Sequence, residues 1–387
     1  MSEINLYLAS RLQGLGTTIF AEMSALAART GAINLGQGFP DTDGPIEVAD
    51  AAVAAIRSGQ NQYPPGTGIE PLRRAIAHHQ ERFWGLAVDP ETEVLVTAGA
   101  TEAIAAAMLA LCEPGDEVVA FDPTYDSYRA AAAMAGATLR TVVLRPPDFA
   151  ADIDALAATI TPRTRLLLLN TPHNPTGKVF SPTEMSAIAA LCVEHDLLAV
   201  SDEVYEHLVF QGEHRPLASF PGMAERTLTV SSAGKTFSFT GWKIGWACGP
   251  AELVAAVRTT KQFLTYVNGA PFQPAVALGL GLGDQFFAEL RDGLRDRRDQ
   301  LVDGLRSAGF DVFVPQGTYF VTVDIRPLGA SDGVDFCRSL PERCGVVAVP
   351  TSVFYADPAD GAHLVRFAFC KRPEVLAEAV ERLATLA

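Results

Sequence analysis

The distribution of apolar positions changes character along the chain. From about residue 93, short and nearly continuous apolar runs alternate with helix-length segments. Glu93 to Thr97, Glu117 to Phe121, Leu139 to Leu144, Arg165 to Asn170, Leu197 to Asp202 and Thr227 to Ser232 are such runs, and Lys243 to Cys248 follows as a seventh. Runs with no polar face are strands covered on both sides, and their alternation with helices predicts an α/β fold with a mainly parallel seven-stranded sheet. Helical spacing predicts helices over Thr101 to Leu111, Asp126 to Ala135 and Pro182 to His195.

Beyond a charged helix predicted over Gln285 to Ser307, the pattern becomes α+β. Asp311 to Ile325 and Gly345 to Pro350 read as antiparallel strands, His363 to Cys370 as another, and Arg372 to Ala387 as a closing helix. The expected organisation is a large α/β domain at 45–285 and a small C-terminal domain at 286–387. Residues 1–44 form an N-terminal arm that adds to the small domain.

Composition narrows the function. Among 387 residues, 48% are apolar and 19% charged, the balance of a soluble globular protein with a large core. The formal charge of -15 repels phosphate backbones and anionic lipid, which argues against nucleic-acid or membrane partners. The longest apolar run, Ala103 to Cys112, is half of a bilayer span. The first residues show no basic region leading into an apolar stretch. Six scattered cysteines form no CxxC pair and no metal-ligand spacing, so a cytoplasmic enzyme with free thiols and no metal is expected.

In open parallel sheets, chemistry collects at the carboxyl ends of the strands. After the first run come Gly99, Ala100 and Thr101, small enough to let backbone N–H groups reach a phosphate at a helix start; a tight turn with a threonine cap accounts for them equally. Asn174 precedes a proline that holds it extended, in a loop that also carries His173. Asp202 ends an apolar strand, where a carboxylate is costly unless paired; a protonated pyridine nitrogen would pair it, and a helix cap is the alternative. Lys235 lies just past Ser232 among small and aromatic residues, where desolvation lowers an amine pKa and suits Schiff-base chemistry. Lys243 could join Ser232 in holding a dianion. Arg366, in an apolar strand, needs an anion that fits its fork, either a substrate carboxylate or a structural carboxylate. Three other motifs fail: a P-loop would need glycine where Thr229 stands, no KTG follows the SxxK at Ser232, and Gly279, Gly281 and Gly283 miss the dinucleotide spacing.

Taken in order, Tyr63, Gly99-Ala100-Thr101, Tyr125, Asn174-Pro175, Asp202-x-x-Tyr205, Ser232-x-x-Lys235, Lys243 and Arg366 resemble the class I/II aminotransferases of the pyridoxal-phosphate fold type I group. INLGQGFPD, NQYPPG, VTAGATEAI, DEVYEHLVF, SSAGKTF, TGWKIGWACGP, APFQPAVA and LVRFAFCKR carry the resemblance over essentially the whole chain. Within the family, TIFAEMSALA and YDSY are most similar to actinobacterial N-succinyldiaminopimelate aminotransferases, beside a branch of kynurenine, glutamine and methionine aminotransferases and cysteine-conjugate β-lyases. The resemblance implies that Lys235 binds pyridoxal 5'-phosphate covalently and later moves the substrate proton. It implies that Asp202 pairs with the ring nitrogen, Asn174 and Tyr205 meet the ring hydroxyl, and Tyr125 stacks on the ring. Gly99, Ala100, Thr101, Ser232 and Lys243 would bind the phosphate, joined by Tyr63 of a second subunit in a homodimer. Arg366 and the backbone near Gly36 would take the substrate α-carboxylate. Phe20 stands where the kynurenine branch usually has tryptophan, and Tyr266 to Phe272 lacks that branch's aromatic-His pair; both turn the expected donor away from kynurenine. The expected acceptor is a 2-oxo acid, 2-oxoglutarate.

Overall fold

A computed structural model of the chain describes residues 7–16 and 18–386. In chain order the strands are β1 (Ile33–Asn34), β2 (Val94–Thr97), β3 (Glu117–Asp122), β4 (Thr138–Val143), β5 (Thr164–Asn170), β6 (Leu198–Asp202) and β7 (Thr227–Ser232). They continue with β8 (Gly245–Cys248), β9 (Asp311–Phe313), β10 (Phe320–Asp324), β11 (Val346–Val347), β12 (Val349–Pro350) and β13 (Leu364–Ala368). The seven apolar runs build one sheet in the order β2-β8-β7-β6-β5-β3-β4. Its pairs are parallel except those of β8, which runs antiparallel to both β2 and β7. The link from β7 to β8 carries a one-turn helix at Ala233–Thr236 and a 3-10 turn at Thr240–Trp242 but no full crossover helix, so the strand returns in the opposite direction.

Burial follows the two-residue period of a strand. Leu166 and Leu168 of β5 pack under the helix Gly99–Leu111, through Ala103, Ala107 and Met108. Leu167 and Leu169 face the helix Pro182–Glu194, through Met185, Ile188 and Ala189. That second helix starts at a capping box in which Ser181 and Glu184 satisfy each other's backbone N–H, with Pro182 fitted into the first turn. The helix Asp126–Ala135 has its predicted bounds, and the long charged helix runs Asp284–Ser307. The helix Gly99–Leu111 begins two residues earlier than predicted: its N-cap is Ala98, so Thr101 lies inside the first turn and caps nothing.

In the C-terminal part, β10 is flanked by β9 and β13, and β12 lies beyond β13, all antiparallel. Gly345 to Pro350 is not one antiparallel strand. Val346–Val347 pairs parallel with Ile33–Asn34, and Val349–Pro350 then joins β13. An unbroken apolar run gives no sign of where the backbone changes partners. The helix Ile19–Thr30 packs in this same core, where Met23, Ala27 and Leu35 meet Leu301, Phe336, Val365 and Phe367. Val204, Tyr205 and Leu208 from the loop after β6 enter it as well. The closing helix is Pro373–Leu383; its predicted end at Ala387 and the reading of residues 1–6 fall outside the described residues. Among the described residues, no helix is long and apolar enough to cross a membrane.

Candidate active site

β2, β5, β6 and β7 point the same way, so the segments that follow them open onto one edge of the sheet. A cavity of about 360 Å³ lies there. Its walls include Phe20, Gly99, Ala100, Thr101, Tyr125, Asn174, Asp202, Tyr205, Ser232, Lys235, Lys243 and Arg366, so twelve positions singled out from sequence meet in one space.

One end of the cavity gathers donors of the kind that suit a dianion. Gly99 has φ +73°, and a Cβ there would meet Lys243 Nζ at 3.2 Å, so the missing side chain lets the lysine lie against the helix start. Gly245 brings β8 as close: its Cβ would sit 2.5 Å from the carbonyl carbon of Gly99. The first N–H groups of the helix Gly99–Leu111 have no partners within the helix and carry partial positive charge. Ser232 and Lys243 complete this end.

Asp202 occupies the floor, only 5% exposed. The hydroxyl of Tyr128 donates to its Oδ2 at 2.5 Å, and no helix follows for it to cap. Burial pushes this carboxyl up to about 6, against the pull of the Tyr128 hydrogen bond and of Lys235. Asn170 fastens the neighbouring loop: its amide donates to the Asp202 carbonyl at 2.9 Å, and its Oδ1 accepts from Asn174 N at 2.7 Å. Burial also brings the Lys235 amine down to about 8. His173, by contrast, is buried against Thr176 at 2.8 Å in a structural role.

Arg366 closes the far wall and is buried. It donates to Asn174 Oδ1 at 3.0 Å and to the Gly36 carbonyl at 2.9 Å. Its guanidinium lies 3.9 Å from the ring centre of Phe320 and 5.2 Å from that of Phe20. Among the described residues it has no carboxylate within ion-pair distance, and its buried Nε has no hydrogen-bond partner. A structural salt bridge is therefore not what holds it. A buried cation with an orphaned donor facing a cavity is a receptor for an anion.

Tyr63 stands apart. It is 80% exposed, its ring edge-on to that of Tyr266 at 5.5 Å, and it does not line the cavity of its own chain. Sequence reasoning gave no role to four residues that shape the site: Tyr128, Asn170, Tyr319 and Phe320. YDSY held one signal, a second tyrosine a helical turn from Tyr125, but the other three carry no motif.

The comparisons with known proteins agree with this geometry. The profile of the family described as Aminotransferase class I and II matches residues 30–383. The chain belongs to that family. Among curated relatives of this aminotransferase, a probable N-succinyldiaminopimelate aminotransferase of Mycobacterium tuberculosis is 59% identical over 98% of both chains. A methionine aminotransferase of Escherichia coli is 43% identical over 97% of this chain and 98% of its own. The solved N-succinyldiaminopimelate aminotransferase from Mycobacterium tuberculosis superposes with a TM-score of 0.96 at 59% identity, covering 98% of this chain and all of that one. The fold type I architecture and the enzyme class expected from sequence are thereby established.

The aminotransferase holds one group of metal-type donors among its described residues, His79, Glu206 and His207. These donors are engaged with one another and with the core. His79 and His207 share a hydrogen bond at 2.7 Å, and Glu206 accepts from Trp84 and Ser231 at 2.6 Å each.

Proposed function

We propose that this aminotransferase holds pyridoxal 5'-phosphate in the cavity and moves the amino group of N-succinyl-LL-diaminopimelate to 2-oxoglutarate, a step of lysine biosynthesis. The observation that carries the cofactor is the meeting of Lys235, Asp202 and an anion-binding helix start in one cavity. The donor set fits that group end to end: a dianion site, a buried carboxylate for a cationic ring nitrogen, amide and phenol for a ring hydroxyl, and an amine for an aldehyde. When bound, the cofactor supplies a carbonyl that captures amines and a ring that accepts the electrons left when the substrate loses its α-proton.

The chain's own residues do the rest. Lys235 anchors the cofactor, and as a free amine it takes the proton from the substrate α-carbon; an amine brought down to about 8 is far better poised for this than an ordinary lysine. Asp202, kept charged with the help of the Tyr128 hydrogen bond, would pair with the ring nitrogen. Arg366 receives the α-carboxylate, and Asn174 orients the guanidinium from below. The aromatic rings around Arg366 exclude water and strengthen that pairing. Tyr63 would complete the phosphate site of a second copy, so the working unit is a homodimer in the cytoplasm. The large domain at 45–285 would carry the cofactor, and the segments 1–44 and 286–387 would carry the substrate carboxylate site.

The donor rests on the 59% identity to the mycobacterial relative across the whole chain and on Phe20 in the pocket. A second reading, a broad methionine, glutamine or kynurenine aminotransferase with cysteine-conjugate β-lyase activity, is favoured by the 43% identical methionine enzyme. Single half-reactions separate the two. Each donor is added alone to cofactor-loaded enzyme, and the absorbance change of the cofactor is followed. Fast conversion with N-succinyldiaminopimelate and slow conversion with methionine, glutamine and kynurenine is the expected ranking; the reverse moves the enzyme to the broad branch. Turnover surviving Lys235→Ala would overturn the mechanism.

A further inference from the structure

Among the described residues, the Lys235 amine makes one hydrogen bond, and it comes from outside its own sheet. Nζ donates to the hydroxyl of Tyr319 at 2.9 Å. That hydroxyl in turn donates to the Gly38 carbonyl at 2.6 Å. A phenol has a single proton, so its commitment to Gly38 leaves only lone pairs facing the lysine. The Tyr319 hydroxyl also meets that of Tyr205, but a carbonyl can only accept, so along this relay the donors run from lysine to tyrosine to backbone.

The ring is equally fixed. Tyr319 is buried, edge-on to Tyr205 at 5.2 Å and against Phe320 at 4.7 Å. The residue before it, Thr318, has φ +68° and is fully buried. A β-branched residue in the left-handed region is an outlier that persists only when its surroundings impose it. Here they do: Thr318 N–H donates to the Leu208 carbonyl at 2.9 Å, and its Oγ1 accepts from Phe320 N at 3.2 Å. The imposed turn is what aims the phenol at the lysine and not along the strand. A strained residue beside one that touches a reactive amine is the signature of pre-organisation.

We propose that Tyr319 is a positioning residue for Lys235. Its hydroxyl, locked on the Gly38 carbonyl, holds the amine at the cavity through the part of the cycle in which the lysine is not bonded to the cofactor, and it governs how readily the amine gives up its proton. The proposal rests on Lys235 being the cofactor-bearing lysine, but its test does not require turnover, so the two can fail separately.

The test is Tyr319→Phe, which keeps the ring and deletes the hydroxyl. In the cofactor-free full chain, reductive methylation of Lys235 by formaldehyde, with cyanoborohydride as the hydride donor, is followed across pH by peptide mass spectrometry. An acceptor favours the charged amine, so its loss moves the midpoint of Lys235 modification to lower pH, by about half a unit or more. In the loaded enzyme, kcat falls about tenfold with KM unchanged, and the isotope effect on an α-deuterated donor rises as proton transfer becomes slower. A folded Tyr319→Phe protein with an unmoved midpoint overturns the proposal. Should that variant fail to fold, 3-fluorotyrosine placed at position 319 keeps the ring, the hydroxyl and the packing but weakens the oxygen as an acceptor. It must move the midpoint in the same direction, and an unmoved midpoint there overturns the proposal equally.

Discussion

The Tyr128 hydroxyl donates to the buried Oδ2 of Asp202 at 2.5 Å, so the nearest support of the charged carboxylate is a neutral donor; Lys235 adds a weaker pull from beyond ion-pair distance. Burial, reinforced by Asp202, pushes the phenol well above its ordinary value, which keeps it a donor at every working pH. The cationic partner that would normally accompany a buried carboxylate is left for the ligand to supply.

Asp202 is therefore expected to trade stability for activity. Its carboxyl titrates near 6 in the fold, against an ordinary 3.8. Between those values the folded chain keeps a proton that the unfolded chain has lost, so cofactor-free stability rises as pH falls through about 6. At neutral pH the penalty is on the order of 3 kcal/mol. Asp202→Asn should raise the melting temperature of the cofactor-free protein while lowering kcat roughly 10²–10³-fold, the size of losing a pre-organised electrostatic partner. Calorimetry and turnover on one preparation check both; a lowered melting temperature would show that the charge is not strained.

Arg366 should separate charge from shape. Arg366→Lys keeps a cation but loses the fork that reaches Asn174, Gly36 and an incoming carboxylate together. Steady-state kinetics should show kcat/KM for the donor falling about 10²-fold, consistent with 2–5 kcal/mol for truncating a buried charge pair. Cofactor absorbance should be unchanged. Loss of the cofactor in this variant would place Arg366 at the wrong end of the cavity.

Lys235 sets a rising limb. Desolvation lowers its amine to about 8, so the neutral form that accepts a proton accumulates above that pH. The proton-transfer rate of the half-reaction, measured by rapid mixing, should increase through about pH 8 and then level off. A rate that falls over this range would assign the proton to another group.

Tyr63 predicts subunit complementation. It is exposed on its own chain and lines no part of that chain's cavity. Lys235→Ala and Tyr63→Ala homodimers, unfolded together and refolded, should regain activity, because each mixed dimer contains one site with both residues intact. Activity no greater than that of the separate variants would remove Tyr63 from the site.

What could be read from sequence followed from how many neighbours each signal has in the chain. The central strands of the large sheet announce themselves because both faces are covered, so their runs are nearly continuous in apolar residues; Leu166 to Leu169 is the clearest case, and the edge strand β4, with Arg140 and Thr141, the weakest. Lys235, Asp202 and Arg366 stand out in the sequence because each is a polar residue against an apolar background, and Asn174 because a proline follows it. Tyr319 and Phe320 were not, since aromatic residues in an apolar strand look like core, and only the turn at Thr318 directs the phenol elsewhere. The parallel pairing of Ile33–Asn34 with Val346–Val347 was equally invisible, because two-residue strands have no period of their own.

That small pairing has a consequence for biosynthesis. The Gly36 carbonyl that receives Arg366 follows directly on β1, whose partner β11 lies near the opposite end of the chain. A nascent polypeptide can assemble the large sheet as it leaves the ribosome, but its first strand must wait for almost the last segment to emerge. Contacts of such long sequence separation form late. A truncated chain would thus lack the buried guanidinium at the cavity wall, and the cavity is complete only once synthesis is nearly finished.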